Sequence, residues 1–434
     1  MNNSFGNYPA SHPQSVQTID WKDQLYRSLS TNENVLPIGL QKSYGDSCLN
    51  NGGTLLRMAG MNKIIEFNVE QGYIICEAGI TLYEILQCII PHGWFLPVTP
   101  GTKYITLGGA IANDVHGKNH HGQGSFGNHV HYLGLQRSDI QNILHCSDDE
   151  NVDFFKATIG GLGLTGVIVY ASIQLVKIHS TFIDATHTKH KSYAAFLELS
   201  QQSELRSEYS VAWFDCFAGS TKSMKGIFSE GNFSEQSHEL IVPQKPRISI
   251  PIFAPELVLN PLSIRIFNTL FYNKQVNKAQ HKSEYFDSFF YPLDAINNWN
   301  YMYGKSGFVQ YQCVLPTEHS ELVLNEILKK VKSSKMGSFL VVLKSFGSIK
   351  SKGMLSFPMP GITIAMDFPW REKKTEIMLD IFDDLVDQSG GRVYAAKDSR
   401  MKGEKFRKWY PNYEQFLAYK DPKMHSTFWE RIMK

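Results

Sequence analysis

The chain has 434 residues, 42% of them hydrophobic and 12% aromatic, with a formal net charge of +2. That length exceeds what a single hydrophobic core sustains, so two domains are expected. The charge is too small to imply a nucleic-acid partner, and no basic block interleaves with aromatics, which argues against that class.

The first residues, MNNSFGNYPASHPQSVQ, lack both a basic start and an apolar run. Neither a signal peptide nor a membrane span is expected, and the cytoplasm follows as the compartment. Cys48, Cys76, Cys88, Cys146, Cys216 and Cys313 show no C-x-x-C spacing, so neither a disulfide framework nor a zinc site is expected. Residues 35–53 (VLPIGLQKSYGDSCLNNGG) read as a short strand breaking into a polar glycine turn. IIEFNVEQGYIICEAG then reads as a hairpin, and TLYEILQCIIPHG as an amphipathic helix ended by Gly93.

The stretch from Pro100 to Val130, PGTKYITLGGAIANDVHGKNHHGQGSFGNHV, sets glycines and four histidines between apolar anchors. Glycine lets backbone approach a bulky ligand, and successive bare N–H groups form nests that hold anions, so a diphosphate is the natural guest. A ligand-free surface loop is the plain alternative. Ile105, Leu107, Ala110, Ile111, Ala112 and Val115 are too apolar for a solvated linker. The next cluster, ATIGGLGLTG, places Gly161, Gly163 and Gly166 at G-x-G-x-x-G spacing. A Rossmann turn must follow a strand and open a helix; here a helix end precedes the glycines and the strand pattern VIVYASIQLV follows them. A nicotinamide Rossmann domain is therefore not expected.

From about Thr181 to Phe368 the pattern shifts to longer alternating strands, among them YSVAWFDCF, GFVQYQCVLP, GSFLVVLKSFG and GITIAMDFP, with charged helices such as EHSELVLNEILKKVKSS. A sheet with helices on one face satisfies that pattern. Within it, RISIPIFAPELVLNPLSIRIFNTLFYNK (residues 247–274) carries three prolines and scattered bulky apolars. It reads either as core or as a mobile flap over a pocket mouth that touches a membrane surface without spanning it. The tail, with YAAKDSR and the helical MKGEKFRKWYP, is expected to fold back across the first domain.

The order of the three glycine segments resembles the flavin-binding domain of the vanillyl-alcohol oxidase superfamily, also called the p-cresol methylhydroxylase (PCMH) type. GGAIANDVHGKNHHGQGSFGNHV, AWFDCF, FYPLD, FVQYQCVLPTE, LSFPMPG, MDFP and YAAKDSR are more narrowly similar to the decaprenylphosphoryl-ribose oxidase family, over about residues 37–410. The resemblance implies an α+β chain in three parts. A two-lobed PCMH-type FAD-binding domain covers 1–178, a substrate domain built on an antiparallel sheet with helices on one face covers 179–390, and a C-terminal segment, 391–434, returns to the flavin domain.

It also implies FAD lined by Ser43, Tyr44, Gly45, Thr102, Gly108, Gly109, Asn113, His116, Gly117, Asn119, Ser125, Gly127, Asn128, Gly161, Gly163, Val167, Tyr394 and Lys397. Many relatives join a first-turn histidine covalently to the flavin. Lys42 stands at that site, so the FAD is expected to be non-covalent.

Hydride transfer from a carbinol needs a group to take the hydroxyl proton and a cation or dipole to stabilise reduced flavin. Lys397 is the candidate cation, against a reading as a surface lysine paired with Asp398. His116 is the candidate proton acceptor, and Tyr44 completes the catalytic set. His120, His121 and His129 are expected to bond backbone within the loop, and no metal is expected because no carboxylate or cysteine completes a ligand set. Gln310, Gln312, Lys344, Thr363 and Ala365 are candidates for the substrate wall. Lys344 lies inside an apolar strand, either with a task there or as an edge lysine with its head in solvent. Ala365 stands where actinobacterial relatives carry cysteine, and Thr363 where they carry asparagine.

The expected function is FAD-dependent oxidation of a sugar secondary alcohol, the 2'-hydroxyl of a polyprenylphosphoryl pentose, with a short-chain reductase as partner and peripheral contact at the inner membrane face. An aldonolactone oxidase and a non-catalytic flavin-binding interaction protein are the alternatives.

Overall fold

The computed structural model describes residues 2–434. Strands Ser15–Thr18, Thr54–Arg57 and Val35–Ile38 form a small parallel sheet with Thr54–Arg57 at its centre. A second, antiparallel sheet has five strands in the order Leu144–Ser147, Val130–Gln136, Val167–Gln174, Tyr73–Glu77 and Ile64–Asn68. The hairpin read from IIEFNVEQGYIICEAG is its edge. Leu82–Ile89 is helical, started by a Thr81–Glu84 capping box, and buries Leu82, Ile85, Leu86 and Ile89 along one face. The ATIGGLGLTG segment runs from helix Val152–Thr158 into strand Val167–Gln174, the order that rules out a Rossmann turn.

The third sheet has eight strands, ordered Ala279–Tyr285, Phe182–His190, Gly226–Phe233, Tyr209–Phe214, Val341–Phe346, Gly361–Pro369, Phe308–Leu315 and Arg392–Val393, all antiparallel. Its period-2 alternation divides two tasks. Val309, Tyr311, Cys313, Leu343, Ile362, Ile364, Met366 and Phe368 join a core shared with helices Thr317–Ser334 and Lys373–Gln388. Gln310, Gln312, Lys344, Thr363 and Ala365, of the opposite parity, line a cavity. The architecture is α+β, with helices gathered on one side of an antiparallel sheet.

The chain end lies against the N-terminal sheet. Val35 N–H donates to the Lys423 carbonyl at 2.9 Å, Thr427 N–H to the Leu49 carbonyl at 2.7 Å, and Arg137 Nη1 to the Tyr419 carbonyl at 2.7 Å. Within residues 247–274, where three prolines argue against regular structure, the second half forms a helix, Pro261–Lys274. Asn260 accepts from the amides of Leu262 and Ser263, and Pro261 sits at the first helical position, where its missing N–H and fixed φ suit the helix. The helix buries only Ile264 and Asn268.

Candidate active site

A cavity of about 590 Å³ lies between the glycine segments and the polar face of the eight-stranded sheet. Ser43, Tyr44, Thr102, Gly108, Gly109, Asn113, His116, Gly117 and Gly163 line it from the N-terminal half, and Tyr394 and Lys397 from the tail. Gln310, Gln312, Lys344, Thr363 and Ala365 line it from the sheet. Residues more than 350 apart in sequence therefore share one wall.

Others of the expected flavin set sit behind that wall. Asn119 is fully buried and donates to the Pro97 carbonyl at 2.8 Å. Ser125 and Asn128 cap a 3-10 turn, Phe126–His129, and Gly127 N–H donates to Asp114 Oδ1 at 2.8 Å. Val167 is buried in the core beneath the parallel sheet, and Gly161 lies against the Ala157 carbonyl. Gly45 lets the first turn approach the tail: a Cβ there would stand 1.7 Å from the Asp398 carbonyl oxygen. These residues shape the loop instead of facing its contents.

Asp114 organises that loop. Fully buried at φ 41°, it accepts from Ser125 Oγ at 2.8 Å, Gly127 N–H at 2.8 Å and Ser356 Oγ at 2.5 Å. Burial raises its carboxyl above the ordinary range, and these donors oppose the rise.

The amides of Gly108 and Gly109 are already engaged, with the Ala78 carbonyl and with the Thr106 cap. The amides of residues 40–43, 101–102 and 163 donate to no other described residue, and all of these residues line the cavity. Gly163 holds φ +75°, which a side chain disfavours. A row of free N–H groups along a deep, largely apolar cavity fits a dinucleotide diphosphate and its attached rings. Lys42, in this turn, places its Nζ 4.7 Å from the centre of the Phe5 ring.

At the other end the side chains are cationic. Lys397 Nζ stands 3.9 Å from the Tyr44 ring centre. Burial lowers its amine to about 8, while the Asp367 carboxylate pulls it upward. Asp367 is fully buried, accepts from Gln310 Nε2 at 2.6 Å, and is pushed up to about 7 by burial. Lys118 donates to the Phe289 carbonyl and is lowered to about 8, again by burial. Burial lowers Lys344 to about 7, and the positive charges of Lys118 and Lys397 deepen the shift.

His116 is held from both sides. Gln312 Nε2 lies 2.9 Å from its Nε2, and Lys344 Nζ 3.1 Å from its Nδ1. Thr363 Oγ1 donates to the Cys313 carbonyl at 3.0 Å, so toward Gln312 Nε2, at 3.3 Å, it can only accept. That fixes the amide nitrogen toward His116, makes Nε2 the acceptor and puts the single imidazole proton on Nδ1. Lys344 must then accept that proton's hydrogen bond as a free amine while donating to the Gly117 carbonyl at 3.1 Å. Burial above all holds His116 neutral, well below the usual histidine range, and the Lys397 charge acts in the same sense.

His129 Nε2 bonds the Gln123 carbonyl at 2.8 Å and His121 Nε2 the Ser207 carbonyl at 3.4 Å, so only the first stays within the loop. Both nitrogens of His120 lack a partner among the described residues. Asp367 and Lys118 were not singled out from sequence. Asp367 has the same strand parity as Thr363 and Ala365, a signal that reaches it once that face is known to be polar.

Residues 24–139 match the FAD binding domain family. The chain is 34% identical over 397 residues to decaprenylphosphoryl-β-D-ribose oxidase of Mycolicibacterium smegmatis, covering 88% of this chain and 84% of the relative. It is 23% identical to L-gulonolactone oxidase of Scyliorhinus torazame over 94% of this chain and 90% of that protein. The mouse L-gulonolactone oxidase aligns at 27% over 40% of this chain and 39% of its own length. With the amide-lined cradle and this full-length likeness together, the chain belongs to the decaprenylphosphoryl-β-D-ribose oxidase family of FAD-dependent oxidoreductases.

Proposed function

We propose that the protein oxidises the 2'-hydroxyl of a polyprenylphosphoryl pentose to a ketone, which a short-chain reductase partner then reduces. The carrying observation is that Lys118, Lys344 and Lys397 all line the one cavity. Lys118 and Lys397, both lowered by burial, hold their protons more firmly when a phosphate enters, so binding energy comes from a group that an aldonolactone lacks.

Bound FAD, held without a covalent link through Lys42, supplies the hydride acceptor. In this reading residues 1–178 with the returning tail 391–434 hold the cofactor, and 179–390 present the sugar. Lys397, braced on the Tyr44 ring, provides positive charge beside the reacting centre. His116 has both ring nitrogens engaged and acts as a positioning residue, keeping Lys344 in its free-amine form. Lys344 is then the group able to take the hydroxyl proton near neutral pH. Gln310, Gln312 and Thr363 offer neutral polar groups to the sugar, and Ala365 leaves space beside them.

Six cysteines, all free, suit a reducing cytoplasm, and a lipid-linked substrate brings the protein to the inner membrane face. No helix among the described residues is long and apolar enough to cross a membrane. The test is anaerobic mixing of the yellow holoprotein with a short-chain prenylphosphoryl ribose and, separately, with aldonolactones. Bleaching by the first alone is expected; bleaching by lactones alone would overturn the reading in favour of a lactone oxidase, and bleaching by neither would point to a flavin-binding protein without this catalysis.

A further inference from the structure

We infer that helix Pro261–Lys274 and the loop before it form a docking surface for an anionic lipid bilayer, set at the mouth of the active-site cavity. The inference rests on the reading of a lipid-linked substrate, whose headgroup must reach the cavity while its chain stays in a membrane.

The first observation is apolar exposure. Leu262, Ile266 and Leu270 are 68%, 51% and 66% exposed. Spaced four apart, they form a stripe opposite the one made by Ile264 and Asn268, through which the helix is attached. Ile248 and Ile252, in the preceding segment, are exposed as well, and Val276 just after the helix is 90% exposed. A helix that presents large apolar side chains on the face away from its protein contacts needs another medium for that face.

The second observation is charge. Between residues 241 and 280 Glu256 is the only acidic residue, against Lys245, Arg247, Arg265, Lys274 and Lys278, all exposed; Lys282 beyond them is paired with Glu284 at 3.1 Å. Glu256 is itself paired with Arg371 at 3.3 Å. The whole chain carries a net charge of only +2, so the remainder is net negative while this segment is net positive. Exposed apolars accompanied in the same segment by exposed cations, with its one acid paired, complement an anionic lipid surface.

The third observation is position. Phe267 and Phe271, on the flank of the same helix, line the cavity and are themselves 44% and 39% exposed, so the cavity reaches the surface beside the apolar stripe. Ile248–Ser249 pairs with Ile296–Asn297, which also line the cavity. A prenyl chain could thus pass from bilayer to cavity along Phe267 and Phe271 without crossing water.

The test uses the holoprotein and two kinds of vesicle, phosphatidylcholine alone and phosphatidylcholine with phosphatidylglycerol. Cosedimentation with the anionic vesicles is expected, weakening by about tenfold or more as salt rises through the screening range. Replacing Leu262 and Leu270 together by Ser should weaken vesicle binding by about tenfold or more, since each buried methylene contributes about 0.8 kcal/mol. Flavin bleaching by a water-soluble, short-chain prenylphosphoryl ribose should stay within about twofold of the parent, because neither leucine lines the cavity.

Binding by the double variant equal to the parent, or no parental binding to anionic vesicles, would overturn the inference. So would a parental dimer in light scattering that the two substitutions dissolve while vesicles remain unbound, which would assign the stripe to a second copy. Vesicle binding that persists when no prenylphosphoryl sugar bleaches the flavin would support the docking surface and remove only the substrate assignment.

Discussion

Lys397 and Asp367 are buried groups that shift in opposite senses: burial lowers the amine and raises the carboxyl, and the charge of each partly restores the other. Lys397→Ala should leave FAD bound, since backbone amides supply the cradle, and slow flavin reduction by about a hundredfold, as losing one electrostatic stabiliser does. Asp367→Asn tests the pair more finely. Without the carboxylate the Lys397 amine falls further, so the alkaline limb of flavin reduction should move down by about one pH unit. Stopped-flow reduction across about pH 6 to 9 would show this; an unmoved limb would detach Asp367 from Lys397. Stability has its own sign. Lys344 and Lys397, ordinarily at 10.5, titrate at about 7 and about 8 in the fold. Between about 7 and 10.5 the unfolded chain holds more protons at these sites, so their contribution makes apoprotein stability rise with pH. Thermal melts should show that rise, and a smaller one for Lys344→Met.

At the scale of elements, alternation in FVQYQCVLP, FLVVLKSFG and ITIAMDFP was enough to read a sheet; its antiparallel order, and Thr363 and Ala365 as wall positions, came from the family resemblance, and strand parity puts them beside Gln310, Gln312 and Lys344 on the cavity face. The glycine loop was legible as a cradle but not in its detail. Gly108 and Gly109 are committed to helix capping, and the free amides lie chiefly in the shorter turn at 40–43, because capping depends on which strand the helix start meets. The 261–274 helix was hidden by Pro251 and Pro255 before it and by Pro261 at its start; only the Asn-Pro start marks it, and that is a signal of position, not of composition. Asp114 was invisible as a hub because its partner Ser356 is more than 200 residues away. Asp114→Ala should unfasten the loop that carries Asn113, His116 and Gly117. Three hydrogen bonds to a buried carboxylate are lost there, and alanine tolerates φ 41° poorly. The expected outcome is a loss of about 2–4 kcal/mol in stability and a colourless purified protein. Retention of bound FAD with unchanged melting would show that the loop holds itself.

At the scale of the whole molecule, one arginine near the chain end fastens the first turn to the last. Arg431 donates Nε and Nη2 to the two oxygens of Asp46, at 2.9 and 2.7 Å, and its Nη2 lies 3.2 Å from Asp398. Asp46 follows the turn with the free amides, and Asp398 follows Lys397. The same guanidinium therefore positions both ends of the site, which is why the Gly45 backbone can press against the Asp398 carbonyl. Removing it strands the buried Asp46 carboxylate, which is already raised by burial and is brought down chiefly by Arg431, whereas Asp398 keeps the amides of Arg400 and Met401. Arg431→Ala should cost about 3–5 kcal/mol, read as a lower Tm, and should weaken FAD retention because the 40–43 turn loses its anchor. Arg431→Lys keeps the charge without the fork and should fall between the two. Arg431→Ala combined with Asp46→Asn should recover much of the Tm, since the stranded charge is gone, but not FAD retention, which depends on where the turn sits. Recovery of both together would mean that charge alone, and not the geometry of the fork, joins the tail to the flavin cradle.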